Sequence, residues 1–237
     1  MRLKDTRKHW NDLGRKDPLW AILTLGSKKN RKWRLDNFYK TGVDEIKQAM
    51  DLISRIPFKI KRGTALDFGC GVGRLSQALC RYFGKVYGVD IAQSMIDVAK
   101  ENNKYPRKCF YLQNKTGKLT NFKNQSIDFI YSSITLQHIE PRYAKAYLKE
   151  FLRLLKIDGI LVFQLPSKPA LTIKGLGIRL LPRPILTRLR SNMEMYGIKK
   201  EEMLSFIEEI GGEVKFVEKS DASGRGWESY RYFVVRK

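Results

Sequence analysis

The stretch Asp67-Phe68-Gly69-Cys70-Gly71-Val72-Gly73 is the first place where residue type and spacing suit chemistry. Glycine permits a tight turn and lets the backbone approach a ligand closely. The spacing is G-x-G-x-G, and Arg74 stands where the third glycine of a dinucleotide loop would fall. A pyrophosphate seat is therefore disfavoured. Asp67, two residues before the first glycine, would repel a phosphate but suits a ligand that presents an ammonium group. Asp90, 23 residues after Asp67, is placed to accept both hydroxyls of an adenosine ribose. A third candidate is His138 in Thr135-Leu136-Gln137-His138-Ile139. A neutral imidazole can take a proton near pH 7, so His138 is the candidate base, with pocket shaping as its other role. His9 sits in a charged stretch with no such context.

These residues need elements to hold them, and from Lys61 onward short β-rich runs alternate with helical patterns. Strands are expected at Thr64–Phe68, Lys85–Asp90, Lys108–Gln113, Ile127–Ser132, Gly159–Leu165, Glu213–Glu218 and Ser229–Arg236. Apolar residues at helical spacing predict helices over Arg74–Phe83, Gln93–Lys104, Arg142–Lys156 and Lys199–Ile210. Gly84, Asp158-Gly159 and Gly211-Gly212 act as stops. Such alternation implies parallel pairing through right-handed crossovers, hence an open α/β sheet with helices on both faces. The last two strands have no helix between them and should pair as an antiparallel hairpin at one edge. In sheets of this kind ligands bind beyond the carboxyl ends of the strands, where the strand order reverses. Asp67, the glycines, Asp90 and His138 all fall just there.

A loop serving an ammonium, followed by an acid serving a ribose, describes S-adenosylmethionine better than a nicotinamide cofactor. ALDFGCGVGRL, VYGVDIAQSMIDVAK, SIDFIYSSITLQHIEP and GILVFQLP, in that order, resemble the successive motifs of class I S-adenosylmethionine-dependent methyltransferases. The resemblance is close from Thr64 to Leu165 and loose beyond. It implies an open, mostly parallel seven-stranded sheet with helices on both faces and the last strand antiparallel. It further implies that Asp67 and the Gly69–Gly73 loop, with Cys70, Gly71 and Arg74, hold the methionine moiety, and that Asp90 holds the ribose. Ile91 and Met95 would pack near the adenosine, and Ser133 and Ile134 would line the pocket. Many members of the family carry an acid after strand three to meet the adenine. This chain has Gln113-Asn114-Lys115-Thr116 instead, leaving Asn114 or Thr116 for that bond. Methyl transfer from a sulfonium is an in-line displacement by an already activated donor, so alignment and exclusion of water matter most.

Two outlying regions belong to the acceptor side in this reading. Residues 1–60 form a helical lead-in folded over the cofactor, with Tyr39 touching its methionine end; residues 61–237 form the methyltransferase domain. Within the latter, a basic lid insert at about 166–197 places its apolar face over the active site. Gln137, His138, Met195, Tyr196 and Trp227 are the substrate-pocket candidates. Leu171, Ile173, Leu176, Ile178, Leu180, Leu181, Ile185, Leu186 and Leu189 alternate with Lys174, Arg179, Arg183, Arg188 and Arg190. A segment of that composition over 166–193 also suits peripheral contact with an anionic membrane surface or a clamp on an acidic acceptor. Pro182 and Pro184 break it in two.

Composition bounds the function. Of 237 residues, 46 are Lys or Arg and 24 Asp or Glu, a net charge of +22, with 43% hydrophobic. That content supports a packed core and excludes wholesale disorder. Residues 1–34 carry eleven basic residues against three Asp, and residues 166–193 carry six with no acid. The field favours an anionic partner: an acidic or phosphorylated small molecule, nucleic acid or an acidic membrane face. Nucleic acid is the less favoured, because no appended RNA-binding module, Asn-Pro-Pro-aromatic tetrad or cysteine pair for carbon methylation is seen. No apolar run approaches the roughly 20 residues of a membrane-spanning helix, and the basic start lacks an apolar h-region. Cys70, Cys80 and Cys109 lack metal-ligand spacing, so no metal site is expected, and a cytoplasmic location is the simplest. The expected function is S-adenosylmethionine-dependent transfer of a methyl group to oxygen, nitrogen or carbon of a small or medium acceptor, including an anionic one. RNA methylation, an inactive cofactor-binding scaffold and a nicotinamide-dependent oxidoreductase are the alternatives.

Overall fold

The computed structural model describes residues 3–55, 60–189 and 193–236; Arg2 and Arg190 lie outside them. Three helices, α1 (Leu3–Lys16), α2 (Pro18–Ile22) and α3 (Leu35–Ile53), precede the sheet. The alternation then runs β1 (Thr64–Phe68), α4 (Arg74–Leu79), β2 (Lys85–Asp90), α5 (Gln93–Glu101), β3 (Cys109–Gln113), β4 (Ile127–Ser132), α6 (Pro141–Leu154) and β5 (Leu155–Pro169). It ends with α7 (Ile173–Leu180), α8 (Arg183–Leu189), α9 (Lys200–Glu209), β6 (Gly212–Lys219) and β7 (Trp227–Arg236). No helix among the described residues is long and apolar enough to cross a membrane.

The seven strands form one sheet in the order β3-β2-β1-β4-β5-β7-β6. The pairs among β1 to β5 are parallel, and β7 runs antiparallel to both β5 and β6. The chain leaves β1 toward β2 and β3 on one side and returns to β4 on the other. The loops after β1 and β4 therefore diverge, opening a crevice at the switch point. Alternate side chains feed two cores, as period-two strands buried on both faces require. Leu66, Ile130, Leu161 and Phe163 join α6 and α9 residues on one face. Ala65, Phe129, Tyr131 and Val162 join α3, α4 and α5 on the other, where Phe83 stacks on Phe129 at 4.9 Å.

Strands β1, β2 and β4 have the expected bounds, whereas β5 is longer at both ends. Leu155 pairs with Ile127, and Lys156 forms an ion pair with the buried Asp128 at 2.9 Å, so the sheet captures residues that helical spacing assigns to α6. Asp158 takes up the resulting irregularity with φ of 65°. At the far end β5 stays paired with β7 through Pro169, opposite Trp227. Trp227 thus begins a strand rather than sitting in the hairpin loop.

The insert differs more. Its two short helices and the residues beside them expose Leu171, Ile173, Leu176, Leu180, Leu181 and Ile185, so the expected apolar cover over the active site is not formed by these side chains. The reason is local packing. Gly175 and Ile178 occupy the inward face of α7: a Cβ at Gly175 would lie 1.9 Å from the Ala170 carbonyl oxygen, and Ile178 sits against Gly226.

Candidate active site

The crevice at the strand tips opens into a cavity holding about 770 Å³ of space, part of it open to solvent. Its floor is Phe68, Gly69 and Gly71 after β1; Asp90, Ile91 and Met95 come from β2 and α5; and Ser133, Ile134, Thr135 and His138 follow β4. Asn114 enters from the end of β3. Thr6 and Trp10 of α1 and Ala21 and Ile22 of α2 supply another wall.

The glycine loop is shaped by what stands over it. Gly71 has φ of 51°, and a Cβ there would fall 2.5 Å from Ile22 Cδ1. Gly69 has φ of 74°, and its Cβ would overlap Thr135 at 2.1 Å. Both require a residue without a side chain in the left-handed region. Asp90 fastens the loop: its carboxylate accepts the Gly71 N–H at 2.9 Å and the Ala92 N–H at 2.8 Å. Each oxygen retains acceptor capacity toward the cavity. Burial raises the Asp90 pKa, opposed by those backbone bonds.

Asp67 lies beneath the loop, fully buried, with Oδ2 accepting the Ser76 hydroxyl at 2.6 Å and Oδ1 without a partner. Burial lifts its pKa to about 7, against the Ser76 bond and the Arg74 charge. Asp67 is not among the residues that line the cavity, so its unpartnered oxygen lies within the protein behind the loop.

Arg74 turns away from the cavity. Its guanidinium is buried and paired with Glu45 of α3 at 2.8 Å, and Glu45 also accepts the Tyr131 hydroxyl at 3.0 Å. Burial pushes Glu45 up, yet the Arg74 charge and these bonds hold it below the usual carboxylate range. Tyr39 also stands outside the cavity and donates its hydroxyl to the Val72 carbonyl at 2.9 Å. Arg74 and Tyr39 therefore brace the loop from behind. Gly73 and Cys70 do not line the cavity either: a Cβ on Gly73 would meet the Tyr111 hydroxyl, and burial raises the Cys70 thiol well above its ordinary pKa. Thr116 closes its own turn by donating to the Lys118 carbonyl, leaving Asn114 as the polar group from that loop that reaches the cavity.

After β4 a hydrogen-bonded chain fixes the pocket wall. Ile134 has φ of 56°, a costly conformation for a β-branched residue. It is held by donation of its N–H to Gln164 Oε1 at 3.0 Å. Gln164 Nε2 donates to Ser223 and Ser229 at 2.7 and 2.6 Å. The Ser223 hydroxyl donates to Gln137 Oε1 at 2.8 Å, which turns the Gln137 amide nitrogen toward His138 Nε2, 3.1 Å away. His138 Nε2 is then the acceptor, and Nδ1–H donates to the Glu194 carbonyl at 2.7 Å. Trp10 packs edge-on against the imidazole at 5.2 Å.

Gln137 is thus a buried link and not a cavity residue. Met195, Tyr196 and Trp227 line a separate, more open cleft with Ile178, Leu186 and Ser167, and Glu194 borders it. Sequence reasoning overlooked Thr6, Ile22, Thr135, Tyr147 and Gln164. Trp10 was overlooked as well, since nothing in the sequence around it singles it out among the residues of 1–60.

A family profile described as a methyltransferase domain matches residues 66–163. Phosphoethanolamine N-methyltransferase 3 of Arabidopsis thaliana is 30% identical over 106 residues, 44% of this chain and 22% of that protein. Trans-aconitate 2-methyltransferase of Enterobacter sp. (strain 638) is 27% identical over 138 residues, 57% of this chain and 51% of its own length. The chain thus spans about half, or less, of the curated relatives it matches. Among solved structures, magnesium protoporphyrin IX methyltransferase from Synechocystis PCC 6803 with bound S-adenosylhomocysteine superposes with a TM-score of 0.67 at 19% identity. The match covers 99% of both chains and speaks for the fold. Residues 66–163 thus match a methyltransferase domain, and the chain shares the fold of the S-adenosylmethionine-dependent methyltransferases it superposes on.

Proposed function

We propose that this chain transfers the methyl group of S-adenosylmethionine to a small-molecule acceptor. The observation that carries the reading is Asp90, fixed by two backbone N–H groups at the edge of a cavity walled by Ile91 and Met95. In it Asp90 receives the ribose hydroxyls, Ile91 and Met95 sandwich the adenine, and Asn114 meets its edge. Asp67, buried with one unpartnered oxygen, would take the ammonium in this reading. The cofactor supplies a methyl carbon on a sulfonium, so the acceptor's lone pair forms the new bond as the carbon–sulfur bond breaks. The chain's task is alignment and exclusion of water. Trp10, Ile22 and Ile134 supply apolar walls for that purpose.

Both nitrogens of His138 are engaged within the chain, which favours a positioning role. The residue then separates the donor cavity from the cleft of Met195, Tyr196 and Trp227, where the acceptor enters. Two relatives are named for anionic acceptors, phosphoethanolamine and trans-aconitate, which the +22 of this chain suits; others are named for demethylmenaquinone, an uncharged quinone.

The test is incubation with methyl-labelled cofactor and fractionated metabolite extract. Label in a small-molecule fraction is expected. Label confined to RNA, or no label despite tight S-adenosylhomocysteine binding, would refute the reading in favour of RNA methylation or a scaffold. For His138→Gln, unchanged pH dependence of turnover is expected; loss of an ionisation near neutrality would reinstate it as a base.

A further inference from the structure

Helix α7 is turned inside out relative to an ordinary surface helix. At 100° per residue, Ile173, Leu176 and Leu180 fall on one face, and that face points to solvent. Ile173 is 93% exposed, Leu180 72% and the preceding Leu171 85%. Lys174 and Arg179 flank the apolar stripe on its two sides, and both are exposed. The inward face holds Gly175 and Ile178, packed on the Ala170 backbone and on Gly226. The segment is anchored in this orientation: Ala170 N–H donates to the Gly226 carbonyl at 3.0 Å and the Thr172 hydroxyl to the Arg225 carbonyl at 3.0 Å. The exposed apolar surface is thus held in place by a fixed attachment to the turn before β7.

We propose that α7, with Arg188 in the last turn of α8, docks this protein onto an anionic lipid bilayer. Leu171, Ile173, Leu176 and Leu180 would enter the acyl boundary while Lys174, Arg179 and Arg188 meet lipid headgroups. Charge complementarity selects this occupant. From Gly159 to Met193 the sequence contains no Asp or Glu, so a second copy of the same face would set like charges against each other. Nucleic acid would use the cations but leave four large aliphatic side chains in water. An apolar stripe bounded by cations is the arrangement that interfacial helices use. The same insert borders the cleft of Met195 and Trp227 through Ile178 and Leu186. The surface is thus continuous with the proposed acceptor entrance, though docking itself does not depend on that reading.

The test is co-sedimentation of the full chain with phosphatidylglycerol-containing vesicles and with phosphatidylcholine vesicles, without cofactor or acceptor. Binding to the anionic vesicles that weakens with salt is expected. Ile173→Asp with Leu180→Asp should lower partitioning at least tenfold, and Lys174→Glu or Arg179→Glu roughly fivefold or more each. Because these side chains are exposed, the variants should keep native affinity for S-adenosylhomocysteine, which reports folding and separates this outcome from failure of the methyltransferase reading. No binding to anionic vesicles at low salt would overturn the proposal. So would binding indifferent to the aspartate substitutions, or a dimer in sedimentation that Ile173→Asp dissociates.

Discussion

Asp90→Asn should cripple cofactor binding while sparing the fold, and the structure sets the size of both effects. The carboxylate accepts one backbone N–H on each oxygen, from Gly71 at 2.9 Å and Ala92 at 2.8 Å. Its remaining acceptor sites face the cavity and are available to a ribose diol. Converting one oxygen to an amide nitrogen removes one charged acceptor and neutralises the other. At about 1.5–3 kcal/mol for a hydrogen bond to a charged group, the ligand loses about 2–4 kcal/mol. That corresponds to a roughly 30- to 700-fold weaker Kd. The new amide also faces one of the two backbone donors, which costs the loop about 1–3 kcal/mol, or a Tm roughly 2–12 °C lower for a chain of this size. Calorimetric titration with S-adenosylhomocysteine reads the first quantity, and thermal denaturation without ligand the second. A variant that melts in that range yet binds within about threefold of wild type would refute the assignment of Asp90 to the ribose.

Glu45→Ala leaves the buried Arg74 guanidinium without its carboxylate, at about 3–5 kcal/mol and a Tm loss of roughly 10 °C; combining it with Arg74→Leu should recover most of the loss in the same melting experiment. An unfolded aspartate titrates near 3.8 and Asp67 near 7, so folding takes up a proton between those values. Its contribution to stability is full at low pH and lost as pH rises through about 7. Wild type should therefore lose Tm relative to Asp67→Asn between about pH 5 and pH 8, and parallel profiles would show that Asp67 is not perturbed. Gln164→Leu removes the acceptor that holds Ile134 in its left-handed conformation; kcat should fall at least tenfold with Kd for S-adenosylhomocysteine changed less than threefold, by the logic of a misplaced wall.

The part of this architecture that a one-dimensional reading reaches is the part governed by local rules. β1, β2 and β4 are short, apolar and bounded by turn residues, and their ends fall where alternation puts them. Asp67, Gly69, Gly71 and Asp90 are legible because their positions relative to strand ends already imply a crevice. Strand β5 was underestimated because cross-strand pairing of Leu155 with Ile127 and of Pro169 with Trp227 is invisible to helical spacing. Arg74 reads as a ligand contact from its place next to the glycines, and Tyr39 from a lead-in folded over the cofactor. Their directions are decided by α3, through Glu45 and the path of the loop. Gln164 could not be found at all, since a glutamine in a buried strand carries no local pattern and acquires meaning only opposite Ile134. The orientation of α7 was misjudged for a related reason. An amphipathic pattern states that one face is apolar, and only the steric limit at Gly175 decides which way that face points.

Helix α1 crosses the donor cavity and is clipped to α5, where Asn11 accepts the Ser94 N–H at 3.0 Å and the Ser94 hydroxyl bonds the Asn11 carbonyl at 2.9 Å. A donor seated in the cavity as proposed would have Thr6 and Trp10 of α1 along one wall, and the Asn11–Ser94 pair fixes that wall to α5. Ser94→Ala would loosen that attachment, and its expected effect is on the exchange of donor rather than on the fold.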